Sequence, residues 1–269
     1  MTAFAALHHA GTPLLLPNAW DHASAVALAA QGFAAVGTTS LGVAAAAGLP
    51  DGAAATRDAT LNLALALGSG PFLLSVDAEG GFSDDPDEVA AVARELAAVG
   101  AVGINLEDGR PDGTLAPVGL HAAKIAAVKS AVPGLFVNAR TDTYWPGNGD
   151  DGGDMGDTNR RLDAYQQAGA DGVFVPGLSE PSRITALLKT LDVPLNILYS
   201  PTGPTVPVLA DLGVRRISLG SLLYRRALGA AVETAALIRA GRSVDGAAPT
   251  YGEVQALVRP ASERPDVLG

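Results

Sequence analysis

Short apolar runs alternate along this chain with longer stretches that are rich in alanine and leucine and carry polar residues at helical spacing. The apolar runs have the length of buried strands, whereas the longer stretches have the period of amphipathic helices. This alternation is typical of repeated βα units that form a parallel sheet. We predict eight strands, at residues 14–18, 34–39, 72–77, 102–107, 135–140, 172–175, 195–199 and 214–219.

Helices are predicted between and after these strands, at residues 24–31, 57–67, 86–99, 117–131, 157–168, 181–190, 206–212 and 221–240. Gly100, Gly169 and Gly213 each follow an apolar helical stretch at the position of a C-terminal cap, where a left-handed backbone favours glycine. Pro86 and Pro181 stand where a helix begins, because the first helical turn does not need the N–H that proline lacks. These boundary residues agree with the hydrophobic pattern.

Eight pairs of strand and helix in about 250 residues predict a (β/α)8 TIM-type barrel. A doubly wound sheet is the alternative, but residues 17–21, PNAWD, follow the first strand without the glycine pattern of a dinucleotide site. We expect a single domain over residues 1–269, with a C-terminal helix and tail from about residue 220. The glycine- and aspartate-rich run at residues 146–157 is predicted to be neither helix nor strand; it is a solvated loop or, alternatively, a mobile lid or a metal-binding loop.

Composition and charge narrow the range of partners. The chain has 269 residues, of which 48% are hydrophobic, and this is enough for a sizeable core. Its formal net charge of -10 disfavours binding to nucleic acid and to anionic membranes. The first eleven residues lack the basic and apolar regions of a signal peptide, and no apolar stretch reaches the length of a membrane span. We therefore expect a cytoplasmic protein.

The residues at the predicted strand ends are mostly acidic. Asp77 and Glu79 lie at the end of the third strand, and Glu107 ends the fourth. Because the C-terminal strand ends of a barrel form its site, and residues two apart on a strand share a face, these three carboxylates are expected to converge. Converging carboxylates repel one another unless a cation lies between them, and Mg²⁺ or Mn²⁺ is the simplest such cation. Alternatively, Asp77 and Glu79 cap the next helix or pair with surface arginines.

Arg140 ends the fifth predicted strand beside this acidic group. Its guanidinium presents paired donors that match a carboxylate, so Arg140 is a candidate to bind an acidic substrate, and it can also pair with Glu107. Tyr144 and Trp145 follow shortly afterwards. They either supply a phenol or an aromatic wall to the site or pack at its rim.

Nucleophilic and basic side chains are scarce in this sequence. The chain has no cysteine, and its lysines fall in predicted helices rather than at strand ends: Lys124, Lys129 and Lys189. A Schiff-base mechanism therefore has no nucleophile. We expect surface positions for the histidines, which are His8, His9, His22 and His121. Acid–base chemistry is then left to carboxylates, tyrosines or metal-bound water.

Five motifs resemble those of the isocitrate lyase and phosphoenolpyruvate mutase superfamily. They are PNAWD at residues 17–21, TTSLGVAAAAGLPDG at 38–52, SVDAEGGF at 75–82, INLEDG at 104–109 and VNARTD at 137–142. Their order on consecutive predicted strands makes the resemblance specific, and it spans about residues 13–226. The resemblance implies an α/β barrel that binds Mg²⁺ and a small 2-oxo acid, dicarboxylate or enolate. It also implies homo-oligomers, dimers or tetramers, that exchange a C-terminal helix.

The resemblance further implies roles for individual residues. Asp77 matches the principal metal carboxylate, which also holds the substrate, while Glu79 and Glu107 bind the ion directly or through water. The residues implied in catalysis are Arg140, Glu107 and Asp51, of which Asp51 completes the water-mediated shell. Substrate oxygens are expected at the backbone N–H groups of Thr39, Ser40 and Leu41, and at the side chains of Arg140, Asn196 and Ser200.

Departures from the family pattern leave the reaction open. The lyases carry a lysine, a cysteine and a histidine in the loop after the fourth strand, and the phosphonate-forming mutases carry a lysine there, but residues 108–117 read DGRPDGTLAP. Residues 174–177, FVPG, lack the glutamate of many relatives, and Glu79 replaces an aspartate. The leading hypothesis is an Mg²⁺-dependent carbon–carbon lyase or decarboxylase acting on a small 2-oxo or 2-hydroxy dicarboxylate. The alternatives are phosphonopyruvate hydrolase or mutase chemistry at a C–P bond, and non-catalytic binding of 2-oxo acids.

Overall fold

The structure is a computed structural model that describes residues 1–145 and 153–258. Within these residues the strands form one parallel sheet, in the order β1-β9-β8-β7-β6-β5-β4-β3-β2. The strands are β1 (Leu14–Leu16), β2 (Asn18–Ala19), β3 (Ala35–Thr38), β4 (Leu73–Asp77), β5 (Ala101–Glu107), β6 (Phe136–Arg140), β7 (Gly172–Phe174), β8 (Leu195–Leu198) and β9 (Arg216–Ser218).

The first predicted strand is interrupted at Pro17, which separates β1 from β2. Proline has no N–H to donate to a ladder, so the pairing changes there. β1 pairs with β9, whereas β2 pairs with β3. The two short strands therefore close the sheet into a barrel of eight strand positions, and helices alternate with the strands. The TIM-type barrel predicted from the sequence is confirmed, and the doubly wound alternative is wrong.

The described helices surround this sheet and follow the predicted bounds to within about two residues where a helix was predicted. They are α1 (Ala3–Leu7), α2 (His22–Ala30), α3 (Ser40–Ala47), α4 (Arg57–Leu67), α5 (Pro86–Ala98), α6 (Val118–Ala131), α7 (Met155–Gln167), α8 (Pro181–Leu188), α9 (Val206–Leu212), α10 (Leu222–Arg239) and α11 (Tyr251–Leu257). The predicted cap glycines Gly100, Gly169 and Gly213 have φ values of 108°, 97° and 101°, as a left-handed cap requires.

Three helices were not predicted: α1, α3 and α11. The sequence of α3 is SLGVAAAA, which has almost no polar residues and therefore no helical period to detect. The interpretation of residues 146–157 is wrong at its C-terminal end, because α7 begins at Met155. The side chain of Asp154 accepts a hydrogen bond from the Gly156 N–H at 2.7 Å and so caps this helix. Residues 146–152 lie outside the described residues.

Helix α1 closes the N-terminal end of the barrel. Phe4 packs against the strand residues Leu16, Ala35 and Phe136. A Cβ atom on Gly103 would lie 2.7 Å from the Phe4 ring, so only glycine on β5 leaves room for this ring. The barrel interior is therefore filled on that side, and the C-terminal strand ends are left to form a site.

Two histidines are buried, contrary to the expectation of surface positions. His8 is 1% exposed and stacks on Phe136 with ring centroids 4.2 Å apart. His121 on α6 is 0% exposed and contacts the edge of Tyr165 at 4.6 Å. Burial lowers the pKa of each of these imidazoles to about 3. Both rings are therefore neutral at pH 7 and pack as aromatic side chains.

The C-terminal helices contribute little to the core. Neither α10 nor α11 buries a residue, and Leu228, Val232 and Ile238 of α10 are exposed. Among the described helices, none combines the length and apolar character that crossing a membrane requires. The exchange of the C-terminal helix between subunits stays a prediction.

Candidate active site

A cavity of about 270 Å³ opens at the C-terminal ends of the strands. Every strand position of the barrel supplies at least one lining residue, either from the strand end or from the loop that follows. The lining includes most of the residues predicted for the site: Thr39, Ser40, Leu41, Asp51, Asp77, Glu107 and Arg140. The fold therefore brings these predicted residues together in one place, as expected for a barrel enzyme.

Asp77 is the last residue of β4 and is fixed by its neighbours on both sides. Its backbone N–H donates to the Thr38 hydroxyl at 2.8 Å, and its Oδ2 accepts a hydrogen bond from the Ser40 N–H at 3.2 Å. The Ser40 N–H belongs to the first turn of α3, whose end carries partial positive charge. Oδ1 of Asp77 is buried without a hydrogen-bond partner among the described residues. An oxygen of this kind calls for a cation or a donor from a ligand.

The residues around Asp77 fit a hydrated divalent cation. Asp51 and Glu107 line the same cavity and supply further carboxylate oxygens. In the described part of the chain, no three Asp, Glu, His or Cys side chains lie close enough to ligate one ion together. Mg²⁺ commonly takes one or two carboxylates directly and keeps several waters. The donor set therefore fits Asp77 as the residue that would ligate the ion, while Asp51 and Glu107 line the same cavity.

Glu79 occupies a different position from the one expected from strand alternation. Strand β4 ends at Asp77, and Glu79 has a left-handed backbone with φ of 48°. The side chains of Asp77 and Glu79 therefore do not lie on the same face of a strand. The Glu79 carboxylate accepts hydrogen bonds from the Thr56 hydroxyl and from the Ala54 N–H. It lines a second cavity beside the main one. Burial raises the pKa of Glu79, and these two donors oppose that effect.

Arg140, at the end of β6, is held between two carboxylates. Its Nη1 lies 2.6 Å from Glu107 Oε2, while Nε and Nη2 donate to the two oxygens of Asp142 at 2.5 and 2.8 Å. The guanidinium also lies 5.1 Å from the Trp145 ring centroid and 5.8 Å from that of Phe174. Burial alone lowers the pKa of Arg140, but the adjacent carboxylates outweigh it and raise that pKa. The cation is therefore permanent and its orientation is fixed.

Asp108 holds the segment that carries Arg140 and Asp142 in place. Its Oδ1 accepts a hydrogen bond from the Asp142 N–H at 2.9 Å, and its Oδ2 accepts from the Thr141 and Tyr165 hydroxyls at 2.8 and 2.7 Å. Arg161 completes the group, with Nη1 3.1 Å from Asp108 Oδ2. Because Asp108 is buried and fully bonded, it positions the backbone that carries Arg140 and Asp142 and does not face the cavity.

Two predicted substrate contacts do not line the main cavity. Asn196 on β8 is buried beneath it, and its Nδ2 donates to Ser218 Oγ at 3.0 Å. Ser200 lies in the loop after β8, where its hydroxyl contacts that of Thr202 at 3.1 Å. Asn196 therefore supports the cavity floor through Ser218, and direct substrate contact by either residue stays a prediction.

Sequence reasoning missed several residues that shape the cavity. Asp142 lies two residues after Arg140, and this spacing is the signal that links it to the arginine. Asn18 accepts hydrogen bonds from the N–H groups of Leu219 and Gly220 at 3.1 and 2.9 Å and thereby ties β2 to the loop after β9.

The two aromatic candidates after Arg140 differ in position. Trp145 lines the cavity, whereas the Tyr144 hydroxyl accepts a hydrogen bond from Arg183. Of the two aromatic candidates, only Trp145 thus supplies a wall.

The fold and the cavity define a class of protein: a parallel α/β barrel whose C-terminal strand ends bring carboxylates and an oriented arginine into one cavity. The chain belongs to the phosphoenolpyruvate phosphomutase family, whose model matches residues 4–239. This family is part of the isocitrate lyase and phosphoenolpyruvate mutase superfamily, whose members are lyases or mutases. The membership implied by the sequence motifs is confirmed.

Three known proteins illustrate the similarity. An uncharacterized protein of Mycobacterium tuberculosis (strain H37Rv) is 44% identical over 254 residues, covering 94% of this chain and 95% of the relative. The 2-methylisocitrate lyase of Bacillus subtilis (strain 168) is 30% identical over 207 residues, covering 74% of this chain and 66% of that protein. The crystal structure of phosphonopyruvate hydrolase with oxalate and Mg²⁺ superposes with a TM-score of 0.81 at 26% identity, covering 95% and 93% of the two chains.

Proposed function

We propose that this protein is an Mg²⁺-dependent lyase that breaks a carbon–carbon bond in a small 2-oxo or 2-hydroxy dicarboxylate. The observation that carries the proposal is the buried, unbonded Oδ1 of Asp77 in the same cavity as the oriented guanidinium of Arg140. A carboxylate oxygen without a donor suits a metal ion, and a clamped arginine suits a substrate carboxylate. The phosphonopyruvate hydrolase complex with oxalate and Mg²⁺ supports this choice of ligands.

The residues of the cavity bind and orient the substrate. Asp77 would hold Mg²⁺, and Asp51 and Glu107 would supply further carboxylate oxygens to its hydration shell. When bound, Mg²⁺ supplies positive charge to oxygens that become negative during the reaction. Arg140 binds the substrate carboxylate, and Leu41 at the start of α3 lines the same cavity. The N–H groups of Thr39 and Ser40 already donate to the Ala19 carbonyl at 3.1 Å and to Asp77 Oδ2 at 3.2 Å, so of the three predicted backbone donors Leu41 is the one kept for the substrate. These donors are fixed before the substrate arrives, so they stabilise developing charge without reorganisation.

Bond cleavage then follows from where charge develops. For a 2-oxo dicarboxylate such as oxaloacetate, the bond between carbons 3 and 4 breaks and its electron pair forms the double bond between carbons 2 and 3. The carbonyl π pair moves onto the 2-oxo oxygen, and the second carboxylate leaves as CO2. The resulting enolate takes up one proton at carbon 3. Among the described residues that line the cavity there is no lysine, histidine or cysteine, so carboxylates, Tyr199 and water are left to supply that proton. Burial raises the pKa of Glu107, whereas the adjacent Arg140 opposes that effect.

The test is the Asp77→Ala variant, compared with Asp58→Ala on the exposed surface of α4. Mg²⁺ affinity is measured by calorimetry, and turnover is assayed with oxaloacetate and 2-methylisocitrate. We expect Asp77→Ala to abolish metal binding and turnover, because the direct carboxylate ligand is lost, while Asp58→Ala retains both. Turnover by Asp77→Ala at the wild-type rate would overturn the assignment.

A second candidate is chemistry at a C–P bond, which the similarity to phosphonopyruvate hydrolase favours. Assaying phosphonopyruvate beside the two carbon substrates separates these reactions. A third is binding of 2-oxo acids without turnover, which the loop without lysine, cysteine or histidine favours. Binding of pyruvate or 2-oxoglutarate with Mg²⁺, without turnover of any substrate, would identify it. A cytoplasmic location and a homo-oligomeric state belong to the proposal as well.

A further inference from the structure

The main cavity contains an arginine that the proposed function does not use. Arg225, in the first turn of α10, lines this cavity together with Arg110 and Arg140. Helix α10 follows β9, and β9 lies four strand positions from β5 in either direction around the closed sheet. Arg225 therefore lies on the side of the barrel opposite Glu107, which ends β5.

The other two arginines of this cavity have carboxylate partners. Arg140 is held between Glu107 and Asp142, and Nη2 of Arg110 lies 2.8 Å from Asp84 Oδ2. Arg225 differs from both, because no carboxylate lies at salt-bridge distance from it in the part of the chain that the structure describes. Its positive charge is therefore available to a ligand.

The helix end that carries Arg225 is fixed, whereas its terminal nitrogens are not. The ring of Tyr224 packs against that of Trp20 with centroids 5.4 Å apart, and the loop before α10 donates to Asn18. Nε of Arg225 donates to Ser221 Oγ at 3.2 Å. Nη1 and Nη2 donate to no other described residue, so the paired donors that match a carboxylate are left for a ligand.

The charges that line the cavity are divided between its two sides. The lining carboxylates belong to β3, β4, β5 and β6 or to the segments that follow them: Asp51, Asp77, Glu107 and Asp142. The described lining residues of β8, β9 and the loops after them include no acid: Leu198, Tyr199, Ser218, Leu219, Gly220 and Ser221. A ligand whose head lies at Asp77 and Arg140 thus meets an unpaired cation when it extends toward β9. An anionic group at the far end of the ligand fits this arrangement.

We propose that Arg225 binds the second carboxylate of the substrate and thereby selects diacids over monoacids. The inference rests on the proposed function, since the 2-oxo acid head is taken to bind at Asp77 and Arg140. The guanidinium of Arg225 donates two parallel hydrogen bonds to the distal carboxylate. This contact suits a carboxylate that stays on the substrate throughout the reaction, because a guanidinium stabilises the charge that loss of CO2 would remove.

The experiment compares two ligands of equal chain length, 2-oxoglutarate and 2-oxopentanoate, by calorimetry with Mg²⁺. The two differ only in the terminal group, which is a carboxylate in the first and a methyl in the second. Oxalate is the third ligand and reports on the acid-head site alone. Arg225→Gln removes the charge, and Arg226→Gln is the matched control, because exposed Arg226 is the next residue and does not line the cavity. Thermal unfolding verifies that both variants fold.

In the wild-type protein we expect 2-oxoglutarate to bind about 10-fold more tightly than 2-oxopentanoate, as a charge-assisted pair of hydrogen bonds requires. Arg225→Gln should reduce this difference to within about 2-fold, because it weakens the binding of 2-oxoglutarate alone. The affinities of this variant for oxalate and 2-oxopentanoate should stay within about 2-fold of wild type. Arg226→Gln should keep the full preference for 2-oxoglutarate.

Three results would overturn the role of Arg225 while the proposed function stands. They are equal binding of the two oxo acids by the wild-type protein, an undiminished preference in Arg225→Gln, and equal weakening of all three ligands by that substitution. The last result would show that Arg225 acts on the acid head or only through net charge. Failure of oxalate to bind wild type with Mg²⁺ would instead overturn the proposed function together with this inference.

Discussion

Arg140 and Glu107 occupy paired positions on neighbouring strands, and their side chains meet with Nη1 2.6 Å from Oε2. Asp142 takes the other edge of the guanidinium through Nε and Nη2. A guanidinium has five N–H groups, and these contacts leave one on each terminal nitrogen for a ligand. Strand register thus produces an arginine that is held by the protein and still able to bind a carboxylate.

Replacing Arg140 by lysine should weaken binding of small acids although the positive charge is kept. The ammonium group cannot contact both carboxylates and a ligand at the same time in the planar geometry of guanidinium. We expect the dissociation constant of oxalate with Mg²⁺ to rise about 10- to 100-fold, measured by calorimetry. Arg57→Lys, at the exposed pair with Glu95, is the control and should leave binding unchanged. Equal affinities of Arg140→Lys and wild type would show that Arg140 does not touch the ligand.

Arg216 is a buried cation whose removal should not cost stability. It is 1% exposed, donates to Ser218 Oγ and Asn105 Oδ1, and has no carboxylate at salt-bridge distance among the described residues. Burial lowers the pKa of Arg216 to about 9, so it stays charged at pH 7. Both acceptors keep another partner when the guanidinium is gone, from Asn196 and Asn138 respectively.

We therefore expect Arg216→Met to leave the free energy of unfolding unchanged or to raise it by about 1 to 3 kcal/mol, because a desolvated charge is removed. Oxalate affinity should fall several-fold, since Arg216 supplies positive charge beneath the cavity floor. Urea unfolding and calorimetry measure the two effects. Destabilisation by more than about 2 kcal/mol, with oxalate affinity retained, would contradict this account and assign Arg216 a packing role.

Buried His121 should make stability fall with acidification. Burial lowers the pKa of His121 to about 3, and nearby Lys124 and Arg161 add to this effect. The unfolded chain binds a proton near pH 6.5, so it holds more protons than the folded chain between about pH 6.5 and pH 3. The stabilising contribution of the neutral ring is thus complete above about pH 6.5 and is lost as the pH falls toward 3.

The corresponding measurement compares the pH dependence of urea unfolding in wild type and His121→Leu. The variant should lack a slope of up to about 1.4 kcal/mol per pH unit in this window. His9→Gln, at an exposed histidine, is the control and should keep the wild-type slope. Parallel curves for His121→Leu and wild type would show that this ring does not determine the acid sensitivity.

The apolar surface of α10 predicts self-association. Leu228 and Val232 are 53% and 63% exposed on a helix that buries no residue in its own chain. Exposed apolar patches of this kind mark interfaces. We expect the wild-type protein to sediment as a dimer or tetramer and Val232→Glu to shift it toward the monomer, because a carboxylate would be buried without a partner. Sedimentation of wild type as a monomer at micromolar concentration would contradict the prediction; Glu233→Gln on the same helix is the control.

The barrel could be predicted because its strands and helices have distinct periods, and because glycine and proline mark many helix ends. Helix α3 could not be predicted from period, since its alanine-rich sequence looks the same on every face. The break at Pro17 also escaped prediction, because it depends on which strands lie on either side of it. The burial of His8 and His121 also escaped prediction, because it depends on aromatic neighbours that are far away in sequence.

The candidate site was predictable where residues sit at strand ends and unpredictable where a loop changes direction. Asp77, Glu107 and Arg140 end β4, β5 and β6. Register pairs Glu107 with Arg140 and places Asp77 beside Asn105, two residues before Glu107, so the three ends lie at the same edge of the sheet. Glu79 lies beyond the end of its strand, and its left-handed backbone turns the side chain toward Thr56. Asn196 was correctly placed on a strand. Whether it lines the cavity depends on how deep the cavity reaches along that strand, and Ser218 and Arg216 pack there and set that depth.

The pairing of β1 with β9 has a consequence for biosynthesis. Leu14 lies opposite Arg216, so the first strand finds its partner about 200 residues later in the chain. Contacts between residues so distant in sequence form slowly, because a long loop must be ordered before they compensate for it. Before residues up to Ser218 have been synthesised and have left the ribosome, β1 has no β9 to pair with and the barrel stays open. Asn18 then also lacks the hydrogen bonds that it accepts from the loop after β9. Ligand binding should therefore appear late in translation and in one step. Until then the sheet is incomplete and both of its edges are unpaired.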